Sequence, residues 1–594
     1  MIAFRSRRVY VDGRLRPATV LLEGQRISGV LAHGECPPGT ELHDYGDLVI
    51  SPGFLDLHVH LNDPGNSDWE GFETGTRAAA AGGITTLVDM PLNSLPVTTS
   101  KAALAQKATA ARFRTAVDVG FHGGVIGDFK SDIVDLLRAG VVGMKAFLID
   151  SGLLEFPPAT GHDLRAVMPL LAKAGVPLLV HAELSIEASV STDFSTLSSW
   201  AASRPAAMEV EALQLLIALV RETGCPVHIV HLAAKECVPL LKAAQSKGLP
   251  ITAETCPHYL AFALGEVPET DTLFKCAPPI RDAANREALW KAIDEGVITT
   301  IGSDHSPCPP SMKRQGEADF GRAWGGISGL QLLFPAFWTE AKRRGFRLDQ
   351  ILPLFTSNPA RLIGREDLGR ITPGAWANLA ILDDQAKFTV QPASLFHRHA
   401  ISPWIGRELR GVVRETWLRG SRVYPATHEQ PRGTLLLAPR TPPPNVEQLL
   451  TCCGSRRWAE AMFKAWPEPP FLAAERIADT LTQEDWLEAF SHHPRIGDIA
   501  FLQERFPATH QLSSSEQAAA ASAREETLHA LKHANDLYFE RFGYIFIVCA
   551  TGKSAEEMLA ILRSRLDNDP SAELQIAARE QRKITRIRLE KLLL

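Results

Sequence analysis

Two histidines one residue apart, His58 and His60, end the apolar run SPGFLDLHVH over residues 51–60. Residues two apart on a strand face the same side, so both imidazoles can reach one metal ion. Taken alone, such a pair is equally well explained by core packing. The chain then places Lys145 in VGMKAFLI, His181 in LLVHAE, His231 in HIVHLA and Asp304 in TIGSDHS, at comparable places along short apolar runs. Four imidazoles and a carboxylate are the N and O donors of hydrolytic metal sites, which keep one position open for water. A lysine ammonium has no lone pair to give a metal; carbamylated by CO₂, it becomes an anionic bridging carboxylate. His258 in CPHY and His305 beside Asp304 lie near the same positions, and residue type does not exclude either as a ligand. His122 and His228 fall inside strand-like runs and read as structural. Cys256, Cys276 and Cys308 read as strand-end residues without chemistry of their own.

Such residues need a scaffold that gathers strand ends. From about 51 to 369, apolar runs such as GITTLVDM, VPLLVHAE and PITAETCPHY alternate with helix-like periodicity. Strands buried on both sides and alternating with helices argue a parallel sheet. About eight repeats over roughly 300 residues suit a (β/α)₈ TIM barrel, whose active site lies at the strand C-termini. Short strand-like pieces over 1–50 and 370–425 predict a small β-sandwich. Residues 426–445, with Pro442 to Pro444 in succession, read as a stiff Pro-rich linker. From 446 to 594, stretches such as EQAAAASAREETLHALKHANDLYFERF predict a separate all-helical domain.

The bulk numbers agree with a multidomain globular chain: 594 residues, 45% hydrophobic, 22% charged, net charge −6. Interspersed charge excludes a basic nucleic-acid surface and a disordered acidic tail. Nine cysteines without a CxxC pair, two of them adjacent at Cys452–Cys453, point to a reducing compartment. Neither a signal-peptide core nor an apolar run of about 18 residues stands out, and the terminal Lys591-Leu-Leu-Leu594 is not a peroxisomal signal. The expectation is a soluble cytoplasmic protein with no membrane and no nucleic-acid partner.

Over about residues 1–425 the chain resembles the cyclic-amidase branch of the amidohydrolase superfamily, and allantoinases most closely. The resemblance is carried by HVHLNDPGNSDWEGFETGTRAAAAGGITTLVDMPLN, KCAPPIRD, GSDHSPC, AWGGISGLQ and NPARLIG. It implies that His58, His60 and Asp304 hold one divalent ion, that His181 and His231 hold a second, and that carboxylated Lys145 bridges them. Zinc is the first expectation, with manganese, cobalt or iron compatible with the same donors. It implies hydrolysis of the hydantoin ring of allantoin to allantoate, with Asp304 moving the proton from the attacking water to the departing ring nitrogen. Asn62, Asn93 and the backbone at Cys276–Ala277 are the implied substrate contacts. Metal ligands are shared with dihydropyrimidinases and hydantoinases, so the ring is chosen by AWGGISGLQ and the SDHSPC context.

The tail carries SHHPRIGD at 491–498, LSSSEQ at 512–517, NDLYFERFGYIFIVCATGKS at 535–554 and ITRIRLEKLL at 584–593. It resembles 2-oxo-4-hydroxy-4-carboxy-5-ureidoimidazoline (OHCU) decarboxylase, an all-helical enzyme without a cofactor. By motif position this implies His493 and Glu516 as the catalytic pair, Arg588 in the substrate site, and Pro494, Ser513 and the backbone near Ile547 framing the ligand. Loss of CO₂ leaves electron density on a ring carbon that must be protonated, work suited to an imidazole near pH 7. A guanidinium holds a carboxylate through forked donors. Ser513-x-x-Glu516 also fits a helix capping box, which does not exclude a role for Glu516. GYIFIVCA reads as a core strand or buried helix. Lys553 stands where that family more often has arginine, and keeps the charge without the planar fork.

The two resemblances reinforce each other, because the decarboxylase makes (S)-allantoin and an allantoinase consumes it. The alternatives are a hydantoinase-type cyclic amidase and a non-catalytic amidohydrolase-like scaffold, which retention of all six ligand positions argues against. Small-molecule substrates and a homo-oligomer, dimer or tetramer, are expected.

Overall fold

The protein was analysed as a computed structural model that describes residues 1–126, 130–186, 193–426, 433–437, 444–466, 468–493, 514–551 and 553–593, the side chains of 130, 131 and 514–526 excepted. It divides into two compact units, Met1–Arg440 and Thr441–Leu594.

Unit 1 opens with β1 (Ile2–Val11), β2 (Arg14–Glu23), β3 (Arg26–Leu31), β4 (Glu41–Asp44) and β5 (Val49–Pro52). Asp12-Gly13 joins β1 to β2 with φ of 51° and 78°, the pair of positive angles that a two-residue type I′ hairpin demands. After a barrel made of β6 (Phe54–Val59), β7 (Ile84–Asp89), β8 (Asp118–Gly124), β9 (Gly143–Phe147), β10 (Leu178–His181), β11 (Val227–Ile229), β12 (Ile251–Thr255) and β13 (Thr300–Ile301), the chain returns with β14 (Leu379–Thr389), β15 (Glu408–Leu418) and β16 (Ser421–Tyr424). The flanking strands are hydrogen-bonded as one eight-stranded sheet in the order β16-β15-β14-β5-β1-β2-β3, with β4 on β1. Its apolar core gathers Phe4, Val20, Ile50, Ile381 and Trp417, so residues from both ends of the unit share one hydrophobic cluster.

The barrel strands lie in chain order from β6 to β13 and pair in parallel. Every residue of β6, β7 and β8 is buried, as strands covered on both faces must be. A helix follows each strand, from Phe72–Ala81 after β6 to Leu333–Arg343 after β13. Just beyond the short β13, a parallel bridge between Val59 and His305 brings the last strand end back to the first.

The stretch expected as a linker is partly core. Val119 donates its N–H to the Thr434 carbonyl at 2.9 Å, and Leu436 donates to the Val119 carbonyl at 2.9 Å. Leu435, Leu436 and Leu437 are buried. A Cβ at Gly433 would meet the Val117 carbonyl oxygen at 2.0 Å, so only glycine allows this approach. The apolar Leu435–Leu437 run gains more by burial than a solvated connector would.

Unit 2 is helical: Val446–Cys453, Arg456–Ala465, Pro470–Ala478, Gln483–Ser491, Ser514–Phe542, Ala555–Arg565 and Pro570–Leu593. Asn445, Thr482 and Ser554 each begin a helix with a reciprocal capping box. Phe490, Leu531, Tyr538, Phe546 and Leu562 form the core. The segment 545–550 is neither strand nor helix, although mostly buried. Side chains take over the backbone pairing there: Arg565 Nη1 donates to the Ile547 carbonyl at 3.0 Å, and the Cys549 N–H donates to Glu580 Oε2 at 2.7 Å. Among the described residues, no helix is long and apolar enough to cross a membrane.

Leu435→Ala is expected to cost about 2–5 kcal/mol, the range for truncating a buried leucine. Differential scanning calorimetry should show the unit 1 transition lowered and the unit 2 transition unmoved.

Candidate active sites

His58 is the penultimate residue of β6 and His60 lies one residue past its end. Strand alternation turns both rings the same way. Their Nε2 atoms stand 3.2 and 3.6 Å from Asp304 Oδ1, and one ligand atom from each of the three residues lies within 4.8 Å of the others. His181 ends β10 and His231 follows β11; His181 Nδ1 is 3.0 Å from His231 Nε2. The His58 and His231 rings, 5.2 Å apart at their centroids, join the two groups. Lys145 sits within β9, fully buried, and its Nζ has no hydrogen-bond partner.

Outer partners turn the rings. Glu254 on β12 meets His58 Nδ1 at 2.5 Å, so the ring presents Nε2 on the Asp304 side. The other oxygen of Glu254 lies 3.4 Å from His228 Nε2. Glu183 meets His181 Nε2 at 2.6 Å and is itself gripped by Arg204 at 3.1 and 2.5 Å, so His181 presents Nδ1 toward His231. Asn93 Nδ2 lies 3.2 Å from His60 Nδ1, so a third ring has an outer partner, here an amide donor and not a carboxylate. A carboxylate behind a ligating imidazole sets its tautomer and raises its basicity. Sequence reasoning passed over Glu254 and Glu183. The available signal was an acid inside otherwise apolar strand runs, ITAETCPHY and LLVHAE.

Burial alone would raise the Asp304 carboxyl, but His58 and His60 hold it down at about 2. Burial opposes ionisation of Glu183 too, and Arg204 and His181 bring it to about 2. Burial pushes the Lys145 amine down to about 7, against the pull of Asp304 and Glu254. Burial, helped by His181 and Lys145, also drives His231 down. Ionised carboxylates and neutral imidazoles are the forms that bind metal. A lone buried ammonium would be costly. The unpartnered Lys145 Nζ among converging N and O donors fits a pair of divalent ions better than it fits an empty core.

The implied substrate residues Asn62, Asn93 and Cys276 are all buried. Asn62 and Asn93 adopt φ of 63° and 68°, His231 39° and Asp304 46°. Four of the nine non-glycine residues with positive φ among those described are therefore at this site. Backbone strain of about 1–3 kcal/mol each persists only where the surroundings over-determine it. Asn62 Nδ2 donates to the Pro307 carbonyl at 3.4 Å while its Oδ1 has no partner. The Cys276 carbonyl accepts from Trp200 Nε1 at 2.9 Å. The open histidines are also placed. His305 has both ring nitrogens engaged away from the ligand cluster, by the Gly329 N–H and by Glu70. His122 bonds the Leu57 carbonyl, and His228 lies between Thr252 and Glu254. His258 is buried beside Tyr259 with its Nε2 unpartnered.

In unit 2, His493 Nδ1 lies 3.5 Å from Arg588 Nη2, and His493 Nε2 has no partner. Burial, then the Arg588 charge, lowers the His493 imidazole to about 4. Arg588 also donates to the Thr451 carbonyl at 3.2 Å. The Ile547 carbonyl is held by Arg565, whose Nε and Nη2 grip buried Glu573 at 2.8 and 2.5 Å. Pro494, Ser513 and the Glu516 side chain lie outside the described residues.

Glu254→Gln is expected to weaken metal binding about 10–100-fold, the usual cost of losing an outer carboxylate. Chelator competition followed by elemental analysis would read it; unchanged affinity would remove Glu254 from the centre.

The sequence profile of the amidohydrolase family matches residues 49–423, and that of OHCU decarboxylase matches residues 442–590. The allantoinase of Streptomyces avermitilis is 44% identical over 73% of this chain and 98% of its own length. The allantoinase of Saccharomyces cerevisiae is 38% identical over 74% of this chain and 99% of its own. Among solved structures, the L-hydantoinase (dihydropyrimidinase) of Arthrobacter aurescens superposes with a TM-score of 0.68 at 27% identity, covering 73% of this chain and 99% of that one. The chain belongs to the amidohydrolase family and carries a C-terminal OHCU decarboxylase domain.

Proposed function

We propose that this is a bifunctional enzyme in which unit 2 decarboxylates OHCU to (S)-allantoin and unit 1 opens the hydantoin ring of allantoin to give allantoate. The observation that carries this reading is the union, on one chain, of an amidohydrolase barrel at 44% identity to an allantoinase and an OHCU decarboxylase domain. Each half narrows the substrate of the other.

A pair of divalent ions, zinc first, supplies an acidified water and a Lewis acid for the ring carbonyl when bound. His58, His60 and Asp304 would hold one ion, His181 and His231 the other, with carboxylated Lys145 between them. The unpartnered Lys145 Nζ supports the carboxylation. Asp304, kept ionised, accepts the proton of the attacking water and returns it to the departing ring nitrogen. Asn62 and the Cys276 backbone orient the ring from the pocket wall. In unit 2, His493 handles the proton at the substrate hydroxyl or ring carbon. Arg588 pairs with a substrate anion, and Glu516 with Pro494, Ser513 and the Ile547 backbone completes the pocket. We further propose a cytoplasmic homo-oligomer, dimer or tetramer.

The hydantoinase neighbours favour a second reading, in which hydantoins or dihydropyrimidines are the substrates. Turnover of allantoin, dihydrouracil and dihydroorotate side by side decides between them, allantoin being expected to be fastest. Supplied with OHCU and followed by NMR, the protein should form allantoin and then allantoate. Asp304→Asn should stall at allantoin, with ring opening reduced at least about 100-fold. His493→Ala should leave ring opening intact while allantoin forms slowly and without handedness; an unchanged rate and chirality would exclude unit 2 as the decarboxylase. Lys145→Ala should lose metal and activity together, and added short-chain carboxylic acids should restore part of both.

A further inference from the structure

We infer that Glu70 is a positioning residue for ring opening: acting through His305, it holds Asp304 in its left-handed backbone conformation. The inference rests on the metal-dependent reading of Asp304 above. A residue with a Cβ does not keep a φ of 46° by preference, so its neighbours must impose it. Among those neighbours His305 is tied at every polar atom. Its N–H donates to Ser303 Oγ at 3.1 Å, and its carbonyl accepts the His60 N–H at 2.8 Å. Its Nδ1 accepts the Gly329 N–H at 3.2 Å, which places the ring proton on Nε2. That Nε2 faces Glu70 Oε2 at 3.2 Å.

Glu70 is fully buried, and its other oxygen accepts the Arg398 N–H at 3.1 Å. Both carboxylate oxygens thus receive N–H donors, a demand that glutamine meets only in half because one end of its amide is itself a donor. His305 also makes parallel bridges to Val59 and to Ile327. Through its backbone and its ring together, this one residue joins the start of the barrel, its end and the loop carrying Gly329. Loss of the Glu70 anchor leaves His305 without its ring acceptor, and loosens the residue whose peptide bond to Asp304 carries the constraint on its backbone. Glu70 touches neither substrate nor metal ligand in this role.

The test uses the full-length protein with Glu70→Gln and Glu70→Ala, loaded with cobalt(II). Metal stoichiometry, the cobalt visible absorption bands, and kcat and KM for allantoin are measured. Both variants should keep the wild-type metal content. Glu70→Ala should shift the cobalt bands and lower kcat on the order of 100-fold, as small displacements of a catalytic group do, with KM held within about threefold. Glu70→Gln should fall between it and wild type. Unchanged bands and kcat overturn the inference, as does a kcat loss that only tracks lost metal. If Glu70→Ala does not fold, as judged by circular dichroism, Glu70→Gln carries the same comparison. Wild-type protein that binds metal but leaves allantoin intact would sink the substrate reading alone, and the cobalt bands would still decide the role of Glu70.

Discussion

Charge balance among buried groups is the constraint on which unit 1 depends. Histidines, an aspartate and a lysine are buried together near the strand ends, where an unpaired charge is costly. The structure meets that cost with partners outside the cluster. Glu254 stands behind His58, Glu183 and Arg204 behind His181, and Asn93 behind His60. Lys145 Nζ is left without a hydrogen-bond partner, a deficit that the carboxylation proposed above would remove. The candidate ligands and their outer partners therefore form a single electrostatic unit, and neither is intelligible alone.

Rigidity follows from the same arrangement. Asn62, Asn93, His231 and Asp304 occupy backbone conformations that only a firmly packed surround sustains. The barrel supplies it by burying β6, β7 and β8 throughout and by returning the last strand end to the first at Val59–His305. The flanking sheet adds to unit 1 by sharing one core between the two ends of its sequence. Unit 2 solves a different problem, with no metal implied. It keeps a buried stretch of backbone outside any helix, paying for its polar groups with Arg565 and Glu580.

Much of this was legible in the chain. The apolar runs announced a barrel because burial on both faces imposes a composition on each strand. The long Ala- and Glu-rich stretch announced the helix Ser514–Phe542 because its propensity is local. The Gly433–Leu437 segment was misread as linker: the neighbouring prolines signal a connector, while the surface that buries Leu435 belongs to β8, more than 300 residues earlier. GYIFIVCA was misread for a similar reason, since Arg565 and Glu580, which replace its backbone partners, come from later helices.

The sequence by itself determined the donor types, their order and the two kinds of domain, because ligand chemistry and element propensity reside in single residues and short windows. Only the tertiary structure decided which nitrogen each imidazole turns inward, which acid stands behind it, and what holds Asp304 in place. Those outcomes depend on pairs such as His58 with Glu254, 196 positions apart, and Glu70 with His305, 235 apart. Whether such residues meet is set by packing of the whole barrel, and no local window of sequence contains it.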